Sequence, residues 1–343
     1  MLRIQSVDCF RVLAILAVVA IHTVPFGYGK PVGHELDLVL IINQISRFAV
    51  PFFLVISGYF WSTKISSGGS IFDPSLKSAK RIGTIFILWS IIYLAISSAR
   101  SLVNGGLNAL WSDFLYAINS VASSPITSLL QGGKPHLWFL TALLISMLIS
   151  AVLLAKGRLC FLILLAVSLY VTGLLGGAYS RSPLGINVPF DFRNGPFLGL
   201  IFFVSGHLLH LVGPKRSWAL LGASLTLVGL AGQFTELNIL HDRWGTTMWQ
   251  DYVGSTLFLG IGVAMMALSN HPLLCLQSIS RVGPLVLGIY AVHYFFVDVF
   301  RSRHGFTVIP WLNEILYILA VLLLSTISVW ALSRFKPTER LVT

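Results

Sequence analysis

The stretch that decides the fold runs Arg11-Val-Leu-Ala-Ile-Leu-Ala-Val-Val-Ala-Ile-His22, an apolar segment with one ionisable residue at each end. A helix turns about 100° per residue, so about eleven steps bring His22 back to within about 20° of the face that carries Arg11. The two side chains then lie on one face, about 16 Å apart along the axis. Arg11 can extend to the membrane interface, whereas an imidazole that is neutral near pH 7 suits a proton-transfer base. A packed or interfacial histidine is the simpler alternative.

Composition places the whole chain in a membrane. It is 56% hydrophobic and only 10% charged, with a mean hydropathy of +0.84. Soluble domains carry about 25% charged residues, so this chain is predicted to be an all-α, polytopic membrane protein. Its 343 residues provide about ten helices of about 20 residues each. We therefore expect one transmembrane domain over residues 1–343.

The hydrophobic runs can be located along the chain. They lie near residues 10–29, 38–61, 82–99, 136–155, 159–178, 196–212, 217–233, 253–270, 284–300 and 312–334. Ten spans put both termini on the same side of the membrane, and most lysines and arginines outside the runs fall on that side too, which predicts that both termini are cytoplasmic. The net charge of +11 then suits anionic lipid and anionic cytosolic ligands rather than nucleic acid. The connection at about 100–135 is predicted outside, with an interfacial or re-entrant helix.

The second run holds an arginine and a proline among apolar residues, Arg47 and Pro51. A buried arginine needs a partner or water, and a proline can kink a membrane helix so that it lines a cavity. Arg47, or backbone N–H groups near Pro51, could stabilise an oxyanion. An arginine that reaches the outer interface beside a structural kink is the alternative.

Further polar residues remain candidates with simpler alternatives. Lys77, Lys80 and Arg81 precede the third run and suit phosphate binding, although cytoplasmic loops are often basic anyway. Histidines at run boundaries or within runs could be aromatic-belt or interhelical residues instead of site residues: His136, His293, and the pair His207 and His210. A metal site is not expected, because no cysteine or carboxylate lies near that pair and no zinc spacing occurs. Possible partners for buried cations are Asp191, Arg193, Asp298 and Glu314.

Six segments in order give the chain a family resemblance. They are Asp8-Cys-Phe-Arg11 with His22, Arg47-Phe-Ala-Val-Pro51-Phe-Phe-Leu-Val-Ile-Ser-Gly-Tyr59, Lys80-Arg81, His136-Leu-Trp-Phe-Leu, Arg193-Asn-Gly-Pro-Phe and Tyr290-Ala-Val-His293. In this order they resemble the membrane-bound acyltransferase-3 family over essentially the whole chain. The short form of the chain is similar to bacterial enzymes of the inner membrane that O-acetylate lipid-linked glycans and surface polysaccharides.

The resemblance implies an activity and roles for these residues. It implies an acyl-CoA donor, usually acetyl-CoA, no tightly bound cofactor, and a glycan or polyprenyl-linked saccharide as acceptor. It implies that His22 is catalytic and that Arg11, Lys80 and Arg81 support donor binding. Asp8, His136, Arg193 and His293 lie in the matching segments and are further site candidates.

Two other functions remain open at this point. Intramembrane arginine and histidine also suit a transporter or flippase of a polyprenyl-linked glycan, although the chain shows no inverted repeat. A structural membrane subunit explains the apolar bulk but not Arg47 and His22 within their runs. Transfer of labelled acetyl from acetyl-CoA is expected of the enzyme alone.

Overall fold

Helices are the only regular secondary structure in the described part of the protein. The computed structural model describes residues 4–23, 38–301 and 310–335, and no strand occurs among them. Besides four short 3₁₀ turns, the described helices are α1 (Gln5–Thr23), α2 (Leu38–Ile45), α3 (Ala49–Ser67), α4 (Phe72–Ser123), α5 (Pro125–Gln131), α6 (Trp138–Ala155), α7 (Leu159–Gly176), α8 (Pro196–Val212), α9 (Trp218–Trp244), α10 (Thr256–Leu268), α11 (Gln277–Ser280), α12 (Val286–Arg301) and α13 (Pro310–Leu332).

Each hydrophobic run corresponds to one helix, except the second run, which contains α2 and α3, and the polytopic all-α prediction is confirmed. In the described residues, eight helical segments are long and apolar enough to cross a membrane. The runs near 196–212 and 253–270 form the shorter apolar helices α8 and α10, of 17 and 13 residues. The first run begins earlier than predicted, at Gln5, and its last residues, 24–29, lie outside the described residues.

The second run is broken at Arg47 rather than at Pro51. Ser46–Phe48 is a 3₁₀ turn that separates α2 from α3. Pro51 falls in the first turn of α3, where a missing backbone N–H costs no helical hydrogen bond. The run therefore changes from α-helix to a 3₁₀ turn one turn before Pro51, and Arg47 lies in that turn.

The connection at about 100–135 is mostly helical, because it continues α4 to Ser123 and then forms α5. Non-helical torsions interrupt α4 at Gly105 and at Gly106, whose φ of +65° favours glycine. Beyond this break, the Asp113 carboxylate accepts a hydrogen bond from Ser101, so the chain has turned back on itself. Residues 111–126 are all exposed, as an interfacial segment would be.

A close helix contact joins α3 to α8 through two similar segments. Phe52-Phe53 precedes Ser57-Gly58 in α3, and Phe202-Phe203 precedes Ser205-Gly206 in α8. A Cβ atom on Gly58 would overlap the carbonyl oxygen of Phe203, and one on Gly206 would overlap that of Val55. Small residues let membrane helices approach at backbone distance, so this pair fixes the centre of the bundle.

Candidate active site

Three histidines from distant parts of the sequence meet inside the bundle. His22 lies in the last turn of α1, His136 in the 3₁₀ turn Pro135–Leu137, and His293 in α12. The His22 ring centroid lies 5.4 Å from that of His293 and 6.3 Å from that of His136. His136 and His293 are themselves 5.1 Å apart. The structure thus brings together three residues that the sequence nominated separately.

Two of these histidines are buried and incompletely hydrogen-bonded among the described residues. His136 is 2% exposed, and neither of its ring nitrogens has a hydrogen-bond partner among the described residues. Nδ1 of His293 lies 2.6 Å from the carbonyl oxygen of Tyr290, while its Nε2 has no partner in the same part of the chain. Buried polar atoms are nearly always paired, and the exceptions often mark functional positions. His22 is half-buried, so it is the member that a substrate can reach.

Tyr294 and Lys134 form one wall of the histidine cluster. The Tyr294 ring stacks on His136 at 4.7 Å and 6°, and it lies 5.3 Å from the His22 ring. The Lys134 ammonium sits 5.4 Å from the same tyrosine ring and pairs with Asp298 at 2.6 Å. Asp298 was nominated as a partner for a cation, whereas Lys134 and Tyr294 were not singled out from the sequence.

A second cluster, of charged side chains, lies beside the histidines. Arg47 pairs with Asp251 at 2.6 Å, and Arg193 pairs with the other oxygen of the same carboxylate at 3.2 Å. Arg193 also pairs with Asp191 at 2.7 Å. The charges of Arg47, Arg193 and Asp251 act electrostatically on His22. Both predicted arginines therefore belong to the neighbourhood of the predicted base.

The Arg47 side chain is largely buried and is held by fixed partners. It is 12% exposed. Its Nε and Nη2 atoms both donate to the side-chain oxygen Oδ1 of Asn43, at 3.1 and 2.8 Å. With Asp251 on Nη1, the guanidinium is fixed in one orientation by three hydrogen bonds. This geometry supports a directional role rather than an interfacial one.

Asp251 is the functional candidate that the sequence analysis missed. It lies in the connection between α9 and α10, and Gln44, Gln233 and Glu236 anchor that connection from inside the bundle. Gln44 donates to the carbonyls of Met248 and Gln250, and Gln233 donates to Gln44. Glu236 accepts hydrogen bonds from the backbone of residues 254 and 255. Burial alone would raise the pKa of Asp251, but Arg47 and Arg193 outweigh burial and hold that pKa below its usual range.

A cavity of about 690 Å³ opens at the other end of the bundle. Arg11 lines it together with three exposed cations, Lys64, Lys77 and Arg81. Its walls are apolar and include Phe53, Ile82, Leu143 and Met147. The cavity therefore combines a basic opening with an apolar interior.

Two of the three basic residues predicted to bind the donor line this cavity. Arg11 and Arg81 line it, whereas Lys80 is exposed and lies outside its lining. Lys77, one helical turn before Arg81, takes the place that was expected for Lys80. Asp8 pairs with Arg11 at 3.0 Å, so its contact with the cavity is through that arginine.

The buried end of the cavity reaches the histidine cluster. Phe139 and Tyr290 line the cavity, and their rings lie 5.5 Å apart. Tyr290 also packs on His136 at 5.5 Å and on His293 at 6.0 Å, and its hydroxyl donates to the His136 carbonyl at 2.5 Å. Tyr290 therefore lies between the cavity with the basic opening and the histidine cluster.

The remaining nominated residues have structural partners. His207 lies 2.8 Å from Ser62, and His210 lies within 3.3 Å of Thr63 and Ser66. Glu314 is buried in α13. No group of three or more potential metal ligands occurs among the described residues.

Comparison with known proteins gives a family match and distant relatives. The model of the acyltransferase domain family, Acyl_transf_3, matches residues 4–334. The chain is 29% identical over 258 residues to a serine/alanine racemase of Enterococcus gallinarum, which covers 69% of this chain and 33% of that protein. It is 26% identical over 253 residues to an amino-acid racemase of Enterococcus faecalis, covering 70% of this chain and 34% of that protein. No solved structure matches significantly.

These matches cover only part of each relative. The chain spans about a third of the length of the curated relatives it matches. Their printed names describe whole proteins, so those names do not assign racemisation to the region that they share with this chain. The family match, in contrast, covers nearly the whole chain.

Proposed function

Because the chain belongs to the acyltransferase-3 family, we propose that this multi-pass membrane protein transfers an acetyl group from acetyl-CoA to a hydroxyl of a glycan. The observation that carries the proposal is that Tyr290, which lines the cavity with the basic opening, packs on His136 and His293. A donor rich in phosphate would enter at the basic opening, and the reacting group would meet His22 in the histidine cluster.

The cavity fits a CoA thioester in charge and polarity. Lys64, Lys77 and Arg81 offer cations to the phosphates at the exposed end, and Arg11 lies further along the same lining. Charge-assisted hydrogen bonds to phosphate are stronger than neutral ones, and arginine can make them in pairs. The apolar walls suit the pantetheine arm, which carries the thioester inward. Lys80, exposed outside the lining, would at most add to the local positive potential.

His22 is proposed as the base for the acceptor hydroxyl. It takes the hydroxyl proton as the acceptor oxygen forms a bond to the thioester carbonyl carbon. The carbon–sulfur bond then breaks, and the CoA thiolate leaves and takes a proton from His22. An acyl group carried on His22 itself is the alternative route, which label bound to the protein after incubation with acetyl-CoA alone would reveal.

Arg47 and Arg193 are proposed to stabilise the negative oxygen of the intermediate. Both guanidiniums are held beside His22 by one carboxylate, Asp251. Fixed donors in a dry site stabilise developing charge without reorganisation, which is usually a large catalytic contribution. Arg193 also lies over the Trp138 ring, which restricts its orientation further.

The charged side chains near the histidines are paired with one another, which favours an uncharged, hydroxyl-bearing group of the acceptor at this position. Asp251 and Asp191 match Arg47 and Arg193 in formal charge, and Lys134 is matched by Asp298. Aromatic rings line the same region, as is common where sugars bind. We therefore infer a cell-surface or lipid-linked saccharide as acceptor, and an orientation with the basic opening on the cytoplasmic side of a bacterial inner membrane.

The experiment is acetyl transfer by the purified protein in lipid nanodiscs. Labelled acetyl-CoA is supplied with a membrane extract that contains lipid-linked glycans, and label in the glycan fraction is measured. The proposal expects label in that fraction and release of free CoA in equal amounts. Vectorial movement of a polyprenyl-linked glycan without CoA release would support a transporter instead.

A further inference from the structure

The inner end of the donor cavity is closed by two aromatic side chains. Phe139 and Tyr290 both line the cavity, and both are nearly buried, at 8% and 7% exposure. Their rings pack edge to face at 69°, and Phe53 packs against Phe139 at 6.2 Å. Because Tyr290 also packs on His136 and His293, this pair lies between the cavity and the histidine cluster, and we name it the Phe139–Tyr290 gate.

The gate is held in place from the histidine side. The Tyr290 hydroxyl donates to the backbone carbonyl of His136, and the Tyr290 carbonyl lies against Nδ1 of His293. One residue therefore borders the cavity and is bonded to two members of the histidine cluster at once. Because Tyr290 is held at both its hydroxyl and its backbone, Phe139 is the side chain of the pair that can move.

We propose that the Phe139–Tyr290 gate selects the length of the acyl group, admitting an acetyl thioester to His22 and excluding longer acyl chains. This inference rests on the proposed function and specifies its donor. Close-packed protein interiors do not deform to admit two further methylenes. A steric pocket of this kind discriminates by about 10–200-fold per methylene.

The test compares Phe139→Ala with Leu143→Ala in the full-length protein. Both side chains line the cavity and both are 8% exposed, but only Phe139 packs on Tyr290. Specificity constants are measured with acetyl-CoA and with butyryl-CoA. We expect Phe139→Ala to raise the butyryl-to-acetyl ratio by about tenfold or more, and Leu143→Ala to leave it within about threefold. Phe139→Leu, which disturbs packing less, should shift the ratio in the same direction.

Binding of the two thioesters to each variant on a His22→Ala background separates the possible failures. The gate predicts tighter butyryl-CoA binding when Phe139 is shortened, even though no transfer occurs. If the wild type transfers acetyl and Phe139→Ala leaves the butyryl-to-acetyl ratio unchanged, the gate is overturned and the proposed function stands. Absence of any thioester binding would overturn the donor cavity, and the gate with it.

Discussion

Arg47 donates a hydrogen bond of 2.6 Å to the carboxylate of Asp251, although 204 residues separate the two in sequence. The second oxygen of that carboxylate accepts from Arg193. One acidic side chain thus sets the positions of two guanidiniums beside His22. Without it, two like charges would face each other in a partly buried site.

Asp251→Asn should therefore lower kcat by about tenfold or more, with little change in the KM for acetyl-CoA. The amide keeps the shape but removes the charge that holds Arg47 and Arg193, and the donor cavity is lined by other residues. Steady-state kinetics with the donor varied give both constants. Asp242→Asn, an exposed carboxyl at the end of α9, is the matched control and should behave as wild type. A rise confined to the donor KM would contradict this role.

Arg47→Lys should impair transfer nearly as much as Arg47→Ala. The guanidinium uses three different nitrogens to contact Asn43 and Asp251, and a single ammonium cannot reproduce that fork. Turnover of the two variants is compared at equal amounts of protein in the membrane. Near-wild-type turnover by the lysine variant would show that charge alone matters and would remove Arg47 from the site.

The pair Lys77→Ala with Arg81→Ala should raise the KM for acetyl-CoA by about a hundredfold or more. Each lost charge-assisted contact costs about 1.5–3 kcal/mol, and both side chains line the cavity. Lys80→Ala is the matched control, because Lys80 lies on the same helix but outside the lining. Donor-dependence curves for the three proteins decide the matter. If Lys80→Ala raised the KM for acetyl-CoA equally, the basic residues would act only through their general positive potential.

Gly58→Ala should destabilise the bundle by about 1–3 kcal/mol or more, because its Cβ would overlap the backbone of α8. Gly83→Ala in α4 is the matched control, because no atom lies within 4 Å of the Cβ that it would add. There the substitution should leave stability unchanged or raise it by up to about 1 kcal/mol. Thermal unfolding in detergent compares the two variants. Equal midpoints would contradict the close α3–α8 contact.

The sequence predicted most of the fold, because hydrophobic runs of membrane length are a strong local signal. It also nominated His22, Arg47, His136, Arg193 and His293, which the structure brings to one region. These residues stand out because an ionisable group in or beside an apolar run has few harmless explanations.

Asp251 could not be predicted from the position of ionisable residues in apolar runs. It lies in a short polar connection that reads as an ordinary loop between two runs. Its inward position depends on hydrogen bonds from Gln44 and Gln233, which come from other helices and leave no periodic signal. The exchange of Lys80 for Lys77 at the cavity has a similar cause, since neighbours in a basic stretch differ only in the helix face that they occupy.

The measurement that tests the central claim most directly is the initial rate of acetyl transfer to the glycan fraction by His22→Ala beside wild type. General-base catalysis contributes about 10²–10⁴-fold, so the account predicts a loss of that size at unchanged expression and thermal stability. His241→Ala, which removes a histidine bonded to a backbone carbonyl at the end of α9, should retain most of the rate. A His22→Ala protein that transfers acetyl at the wild-type rate would contradict the account.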